Sequence, residues 1–437
     1  MNGARFVFVA ALPLFAFGCS GAGGGSDVDH ADARPADAST SDARPSDGRA
    51  ASETGATDGR SETSADAPGP ASNVVPMIVN AGPPGVNSYD APFVSITVCM
   101  PGTMNCETID DIEVDTGASG VRVLASALTG LALPQQTASD GSPLVECMQY
   151  TDGYSWGPVK LADVRIGSKL AASIPIEVIA DPMFTSVPNA CSNSGPSENT
   201  LTSFGSYGTI GINQIVPDCG PSCASTKPVH AGGYYSCTGS TCTPVAVPEA
   251  DQVSNPIAAF TSDNNGAVLQ FPTVPADGAT TLSGSLIFGI GTAGNNALGS
   301  ATVLTVDENS EFTTVFDGIT MPGSYIDSGT EYLWFYDSSL RKCKASSTGG
   351  GFYCPASPQT LTAENVGENG ATSNVTFTVA NANSLFSDSS YAVFDDVGSP
   401  GPKASFAWGF PFFLGRSVFV ALGGATTPGG DGPYVAY

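Results

Sequence analysis

Two short stretches share one pattern: IEVDTGAS at residues 112–119 and SYIDSGT at residues 324–330. Each has an apolar lead typical of a strand, followed by an aspartate, a hydroxyl residue and a glycine. Asp-Thr-Gly taken singly indicates only a turn, because Asp and Gly are frequent turn residues. Two copies, one in each half of the chain and both after an apolar strand, indicate a pair of related loops. We call residues 115–118 the first aspartate loop and residues 327–330 the second.

The residues around these loops have the pattern of short β-strands. Alternating or short apolar runs are separated by clusters of Gly, Pro, Asn and Asp. These runs are residues 93–98, 159–166, 174–179, 286–288 and 312–316. No stretch has a long 3.6-residue period, and the only helical candidate of any length, residues 251–260, is short. The sequence therefore predicts an all-β protein with many short strands.

The charge composition excludes several functions. The 437 residues include 41 Asp and Glu, 15 Lys and Arg, and two histidines, which gives a net charge of −26. Such a chain lacks the basic surface that nucleic acids and anionic membranes require. Two histidines also exclude histidine-rich metal sites. Hydrophobic residues make up 41% of the chain, which is enough for a large core, and the length favours two domains or lobes.

The first 72 residues have the composition of an export signal and a spacer. One cation, Arg5, precedes an apolar run at residues 6–17, which is typical of a signal peptide. The run ends at Cys19 in a sequence that resembles a bacterial lipobox. Residues 1–19 are therefore predicted to be a signal peptide with lipidation at Cys19, as in an outer-membrane lipoprotein. Secretion after ordinary cleavage is the alternative. Residues 20–72 contain no aromatic residue and are predicted to be a disordered tether.

The cysteine count agrees with export. Ten cysteines remain besides Cys19, and an even number in an exported chain predicts five disulfides. Their spacing favours the pairs Cys99–Cys106, Cys343–Cys354 and Cys147–Cys191. The other four lie in an insertion at residues 219–242 and could pair in three ways: they are Cys219, Cys223, Cys237 and Cys242. A four-cysteine zinc site is the competing interpretation of these four.

With both aspartate loops in place, the sequence resembles the pepsin-like aspartic peptidases and, within them, an uncharacterised group of exported bacterial pepsin-fold proteins. In that superfamily two hydrophobic residues and a glycine pass under each loop. Residues 208–212 and 407–409 are similar to these two elements. The resemblance implies a bilobed β fold with two pseudo-symmetric lobes and a central cleft. The lobes would be residues 73–300 and 301–437.

The resemblance also implies roles for individual residues. Asp115 and Asp327 would form a water-activating dyad, and no cofactor or metal would be needed. Residues beside the dyad would support it by hydrogen bonds and by close backbone approach: Thr116, Gly117, Ser328, Gly329 and Thr330. A hairpin that closes over the cleft, the flap, would carry Tyr150 and bend at Gly153, with Tyr154 as the alternative flap tyrosine.

Two residues depart from the superfamily pattern. Ala118 stands where a serine usually follows the first glycine, and Arg122 stands where a tryptophan usually supports the flap tyrosine. The predicted function is an exported aspartic endopeptidase, a monomer that acts on extended peptide or protein segments. The alternative is an inactive pepsin-fold binding protein that recognises a protein or glycan at the cell surface. A Ser-His-Asp triad would depend on His230 and is disfavoured, because the chain has no nucleophile-elbow motif.

Overall fold

A computed structural model describes residues 72–227, 229–230 and 232–437. The predicted signal peptide, the predicted lipidation site Cys19 and residues 20–71 of the predicted tether lie outside the described residues. No helix in the described part of the chain is both long and apolar enough to cross a membrane.

The described residues form mostly β-strands. Those in the first part of the chain are β1 (Val74–Val79), β2 (Pro92–Cys99), β3 (Cys106–Asp115), β4 (Ser119–Leu124), β5 (Leu144–Gln149), β6 (Tyr154–Ile166), β7 (Lys169–Ile179), β8 (Gly208–Ile212), β9 (Tyr234–Thr238), β10 (Thr241–Pro244), β11 (Gly266–Gln270) and β12 (Leu282–Phe288). Those in the second part are β13 (Val303–Thr305), β14 (Phe312–Phe316), β15 (Ile319–Ile326), β16 (Leu333–Phe335), β17 (Gln359–Val366), β18 (Thr372–Val379), β19 (Gly398–Pro400), β20 (Ala407–Trp408), β21 (Ser417–Ala421), β22 (Thr426–Thr427), β23 (Gly430–Asp431) and β24 (Tyr434–Ala436).

Helices in the described residues are single turns. The α-helical turns are α1 (Asn189–Ser192), α2 (Leu201–Phe204), α3 (Pro221–Ala224) and α4 (Ala382–Leu385). The 3₁₀ turns are Ala125–Ala127, Glu249–Asp251, Pro256–Ala259 and Phe410–Phe413. The predicted all-β, two-lobed class is confirmed. The predicted short helix at residues 251–260 corresponds to the 3₁₀ turns Glu249–Asp251 and Pro256–Ala259.

Both halves of the chain build the same local arrangement around an aspartate loop. The strand that leads into the first loop, β3, runs parallel to β8, and β8 pairs antiparallel with β4, the strand that follows the loop. In the second half β15 runs parallel to β20, which pairs antiparallel with β16. Residues 208–212 and 407–409 therefore pass directly under the loops, and the backbone N–H of Asp327 donates to the carbonyl of Trp408 (3.0 Å).

The strands form two main sheets. The larger has the order β10-β9-β5-β6-β7-β4-β8-β3-β2-β1-β12-β11-β21-β24-β13, and the smaller has the order β18-β17-β14-β15-β20-β16-β19. Three strands that follow residue 300, namely β13, β21 and β24, thus pair with the sheet of the first lobe. The chain end ties the two lobes together, because β21 pairs with β11 over five residues.

Stacked aromatic rings anchor β20, the strand that lies under the second aspartate loop. Phe335 stacks on Phe406 with ring centroids 4.8 Å apart, and Phe406 stacks on Trp408 at 4.0 Å. All three side chains are fully buried. Burial of one such side chain stabilises a fold by roughly 1.5–3 kcal/mol. The strand under Asp327 is therefore anchored in the core of the smaller sheet.

Five disulfides are present in the described residues. Three are the pairs expected from spacing: Cys99–Cys106, Cys147–Cys191 and Cys343–Cys354. Within the insertion, Cys219 bonds Cys223 and Cys237 bonds Cys242, which was one of the three open pairings. Since all four insertion cysteines are in disulfides, none is available as a thiolate ligand in this state, contrary to the competing zinc interpretation.

A buried aspartate in the second lobe makes stability depend on pH. Asp396 is only 6% exposed, and burial, together with the charge of Asp395, raises its pKa from 3.8 to about 7. A group whose pKa is raised by folding stabilises the fold below its unfolded pKa, and this stabilisation is lost as pH rises through the folded pKa. The loss between pH 4 and pH 8 is roughly 4 kcal/mol, because one pKa unit corresponds to about 1.4 kcal/mol.

The substitution Asp396→Asn is expected to remove this part of the pH dependence. Asparagine resembles the protonated aspartate, so the variant should unfold near the wild-type temperature at pH 4 and several degrees above it at pH 8. Thermal unfolding at the two pH values measures the effect. Asp277→Asn, at an exposed turn, serves as the control and should leave the pH dependence unchanged. Equal falls in Tm for the wild type and Asp396→Asn would contradict the assignment.

Candidate active site

The two aspartate loops are joined by a reciprocal set of hydrogen bonds between the lobes. The N–H of Thr116 donates to the hydroxyl of Ser328 (3.0 Å), and the N–H of Ser328 donates to the hydroxyl of Thr116 (2.9 Å). Each hydroxyl in turn donates to a carbonyl of the opposite strand, Ile326 for Thr116 (3.2 Å) and Val114 for Ser328 (2.7 Å). Both side chains are buried. The loops are thus fixed relative to each other at short range.

The glycines of the two loops allow the aspartates to approach. A Cβ atom on Gly117 would lie 2.5 Å from Cγ of Asp327, and a Cβ atom on Gly329 would lie 2.8 Å from Cγ of Asp115. Real Cβ atoms essentially never come this close to other heavy atoms, so a side chain at either position would displace the opposite carboxyl group. Each carboxyl group therefore lies against the backbone of the opposite loop, which brings Asp115 and Asp327 together.

The hydrogen bonds to the two carboxylates are nearly symmetric. Oδ1 of Asp115 accepts from the N–H of Gly117 (2.7 Å) and Ala118 (3.2 Å), and Oδ1 of Asp327 accepts from the N–H of Gly329 (2.8 Å). The second oxygen of Asp327 also accepts from the hydroxyl of Thr330 (2.7 Å). Ala118, at the corresponding position of the first loop, has no hydroxyl that could donate a hydrogen bond to Asp115.

The surroundings of the pair affect the protonation of Asp115. Removal from water raises the pKa of Asp115 well above its ordinary value, and the nearby charge of Asp327 raises it further. The N–H groups of Gly117 and Ala118 oppose this effect without cancelling it. Two adjacent carboxylates cannot both ionise cheaply, so the pair shares one proton. Removal from water and the neighbouring carboxylate therefore favour the protonated form of Asp115.

Two tyrosines of the second lobe lie beside the dyad. Tyr325 lies on β15, and Asp327 follows directly after that strand. The two residues are two positions apart in extended chain, so their side chains point to the same face. Burial raises the pKa of Tyr325, and the charges of Asp327 and Asp115 add to this effect. Burial likewise raises the pKa of Tyr332, with contributions from Asp152 and Asp327. Sequence reasoning missed both tyrosines, although the alternation along β15 could have identified Tyr325.

The predicted flap is the hairpin of β5 and β6 with the turn at residues 150–153. The turn is closed by a hydrogen bond from the N–H of Tyr150 to the carbonyl of Gly153 (2.8 Å). The charge of Asp152, in this turn, contributes to the raised pKa of Tyr332. Tyr150 is half-buried and packs edge-on against Phe204, with centroids 6.0 Å apart.

The alternative flap residue, Tyr154, faces the protein interior. It is 7% exposed and belongs to an apolar cluster with Val145, Trp156 and the Cys147–Cys191 disulfide. Gly153 also has a tight contact, because a Cβ atom there would lie 2.6 Å from the carbonyl oxygen of Pro196. Tyr150 is therefore the more exposed of the two candidate flap tyrosines.

A buried ionic network surrounds Arg122. Arg122 is fully buried and contacts three carboxylates: Glu146 at 2.6 Å, Asp218 at 2.8 Å and Glu177 at 3.3 Å. Burial raises the pKa of Glu146 and of Glu177 well above their ordinary values. The sequence shows Arg122 only as a departure from a pattern, since its three partners lie far apart along the chain.

Other candidate sites do not have comparable chemistry. His230 is exposed, and its ring nitrogen Nδ1 accepts from the N–H of Gly232 (3.3 Å), an arrangement that fits a surface loop. Its ring lies near Cys219 and Cys223, which are bonded to each other. A cavity of about 390 Å³ is lined by Gln135, Leu161, Ser173, Asp251 and other residues of the first lobe, and it includes no residue of either aspartate loop. The chemistry therefore favours the dyad.

The fold and the paired loops define a two-lobed, all-β protein with two aspartates held together between its lobes. Residues 69–437 match the family described as "Protein of unknown function (DUF3443)", and the chain belongs to that family. Among solved structures, the chain is similar to the crystal structure of the aspartic proteinase from Irpex lacteus. That comparison has 15% sequence identity and a TM-score of 0.46, and it covers 83% of this chain and 96% of that chain. No curated protein matches the chain.

Proposed function

We propose that the protein is an exported aspartic endopeptidase that hydrolyses peptide bonds with Asp115 and Asp327. The observation that carries this proposal is the contact of each carboxyl group with a glycine of the opposite loop, where a Cβ atom would displace the carboxyl group. A binding protein has no need for two aspartates that disfavour each other's ionisation. Such a pair destabilises the fold near neutral pH, and retaining it is expected where it performs a reaction.

The geometry supports a general acid–base mechanism. The ionised Asp327 removes a proton from a water molecule as that water attacks the carbonyl carbon of the scissile bond. The protonated Asp115 donates a hydrogen bond to the oxygen on which negative charge develops. Asp327 then gives the proton taken from water to the nitrogen as the C–N bond of the tetrahedral intermediate breaks, which yields a carboxylic acid and an amine and returns the dyad to its starting state. The hydrogen bonds between the loops keep the dyad rigid during these steps.

We also propose where the enzyme acts and on what. Five disulfides and the predicted signal peptide support an oxidising compartment outside the cytoplasm. The predicted lipid on Cys19 would hold the protein at the outer membrane, with the acidic spacer between membrane and enzyme. The substrate class is an extended peptide or protein segment, and the protein would act as a monomer.

The test is hydrolysis of a denatured protein by the purified chain between pH 3 and pH 7. Hydrolysis is expected within this range, and pepstatin, which occupies a two-aspartate site, is expected to abolish it. An inactive Asp327→Ala variant serves as the control for contaminating proteases. The absence of cleavage at every pH, or cleavage that persists in Asp327→Ala, would overturn the proposal.

One feature supports the binding protein as a second candidate. The flap is held along its outer edge, because the N–H of Tyr154 donates to the carbonyl of Pro196 (3.0 Å) and the N–H of Glu198 donates to the carbonyl of Tyr154 (2.8 Å). The Cys147–Cys191 disulfide ties the same hairpin to α1. A flap fixed in this way restricts entry of a large substrate. Tight binding of a peptide without its cleavage would support this candidate.

The substitution Ala118→Ser is expected to shift the pH dependence of hydrolysis. A hydroxyl at residue 118 would donate to Asp115 as Thr330 does to Asp327, which favours the ionised form and lowers the pKa of Asp115. The alkaline limb of the pH profile of kcat/KM should then move to lower pH by roughly 0.5–1 unit. Ala127→Ser, in the 3₁₀ turn after β4, is the matched control. An unmoved limb in Ala118→Ser would contradict the assigned proton position.

A further inference from the structure

The network around Arg122 connects the first aspartate loop with the flap. On one side Nη1 of Arg122 donates to the carbonyl of Ser119 (2.6 Å), which directly follows the loop. On the other side Nη2 donates to Glu146 on the flap strand β5 (2.6 Å). One buried side chain thus contacts the strand that continues the loop and the strand that begins the flap.

A second path leads from Arg122 to the flap tyrosine. Nε of Arg122 lies 3.3 Å from Oε2 of Glu177 on β7. The same oxygen accepts a hydrogen bond from the hydroxyl of Ser155 (2.8 Å), and that hydroxyl lies 3.2 Å from the hydroxyl of Tyr150. Glu177 and Ser155 are both fully buried. The tyrosine hydroxyl is therefore the last member of a polar path that starts with the ion pair of Arg122 and Glu177 and continues through two hydrogen bonds.

The composition of the network indicates a role besides stability. One guanidinium faces three carboxylates, and Asp218 also accepts from the hydroxyl of Tyr234 (2.6 Å). Buried ion pairs often stabilise a fold less than apolar side chains of the same volume. The free energy needed to remove the charges from water offsets much of the favourable free energy of their attraction. What such a network does provide is fixed geometry, since a planar guanidinium donates in defined directions.

We propose that Arg122 is a positioning residue that fixes the flap relative to the first aspartate loop, holding Tyr150 through Glu177 and Ser155. Its effect on hydrolysis rests on the proposed function, whereas its effect on the flap does not. Arginine performs this task in place of an aromatic side chain, since its contacts reach β5, β7 and the loop after β8 at the same time. The flap hairpin, the polar path and the first loop then move as one unit.

The test combines hydrogen exchange with kinetics on the full chain. Ser155→Ala breaks the path next to Tyr150 and leaves the ion pairs of Arg122 in place. We expect amide exchange in residues 144–156 to accelerate about tenfold, and KM for a peptide to rise at least fivefold with kcat nearly unchanged, because uniform binding is lost. Arg122→Lys keeps the charge but cannot make all of the contacts, and its flap should exchange faster still.

The control is Ser399→Ala, which removes a buried hydroxyl from β19 in the second lobe, where it donates to the carbonyl of Gly351 (3.4 Å). It should leave flap exchange unchanged. Unchanged flap exchange in Ser155→Ala, or an equal acceleration in Ser399→Ala, would overturn the inference even if Arg122→Lys failed to fold. If the wild type hydrolyses no peptide, the proposed function fails and exchange alone decides the inference.

Discussion

Replacing Asp115 with asparagine is expected to lower the rate of peptide hydrolysis by roughly 10³–10⁴-fold, the range in which loss of a central acid–base group falls. Asparagine has the shape of the aspartate and can still accept from the N–H of Gly117, so the loop keeps its structure. It can neither share the proton of the dyad nor donate the hydrogen bond of a protonated carboxyl. Initial rates on a denatured protein at the pH optimum measure the loss.

The same substitution is expected to raise stability near neutral pH. The pKa of Asp115 is raised in the folded chain, so its stabilising contribution is present in acid and is lost as pH rises. Asparagine does not ionise, so the variant does not lose stability in this way as pH rises. The variant should therefore unfold several degrees above the wild type at pH 7 and at nearly the same temperature at pH 4. Lower activity together with higher stability is the pattern of a site whose geometry serves function.

A stability difference that points the other way would argue against the dyad. If Asp115→Asn unfolded below the wild type at pH 7, the aspartate would be serving the fold by accepting hydrogen bonds. Asp277→Asn, an exposed aspartate in a turn, controls for the general effect of removing one negative charge from an acidic protein. It should change neither the activity nor the melting temperature.

The second large effect is expected from Gly117→Ala. The new methyl group would lie 2.5 Å from Cγ of Asp327 and 2.6–2.8 Å from its two oxygens, so the carboxyl groups must move apart. A displacement near 1 Å in a reacting group costs about 10²-fold in rate, and we expect kcat/KM to fall at least that far. The separated pair no longer shares a proton, so pepstatin should also bind more weakly.

A graded series makes this prediction specific. At Gly329 the corresponding Cβ distances to the Asp115 carboxyl are 2.8, 2.9 and 3.2 Å, so Gly329→Ala should be less harmful than Gly117→Ala. At Gly294 an added Cβ atom meets nothing within 4 Å, and Gly294→Ala should be neutral. Equal losses of kcat/KM in Gly117→Ala and Gly294→Ala would contradict this prediction. They would show that residue 117 is glycine because of its backbone freedom, and not because of its close approach to Asp327.

The fold class and the pairing of the two aspartate loops follow from local sequence patterns. The apolar run predicted as a strand at residues 312–316 coincides with β14, because its alternation is undisturbed and turn residues bound it. The aspartate loops could be paired because each combines an apolar strand, an aspartate and a glycine within a few residues. Their cross-lobe hydrogen bonds were implied by the superfamily resemblance.

The remaining features depend on contacts between distant residues and could not be predicted. Arg122, Glu146 and Glu177 lie on three different strands, and each resembles an ordinary charged position of a strand with one solvated face. They come together because β4, β5 and β7 belong to one sheet, with the local order β5-β6-β7-β4. The contact of Gly153 with Pro196 could not be predicted either, nor could the choice among three pairings of four closely spaced cysteines.

The central claim is that one proton is shared between Asp115 and Asp327, and the pH dependence of kcat/KM for a soluble peptide tests it most directly. The account predicts a bell-shaped profile, because hydrolysis needs one ionised and one protonated carboxyl group. The pKa values of both limbs should be those of the coupled pair of aspartates. In Asp115→Asn the bell should disappear with the activity. A profile that rises steadily toward alkaline pH, or a bell that persists in Asp115→Asn, would contradict it.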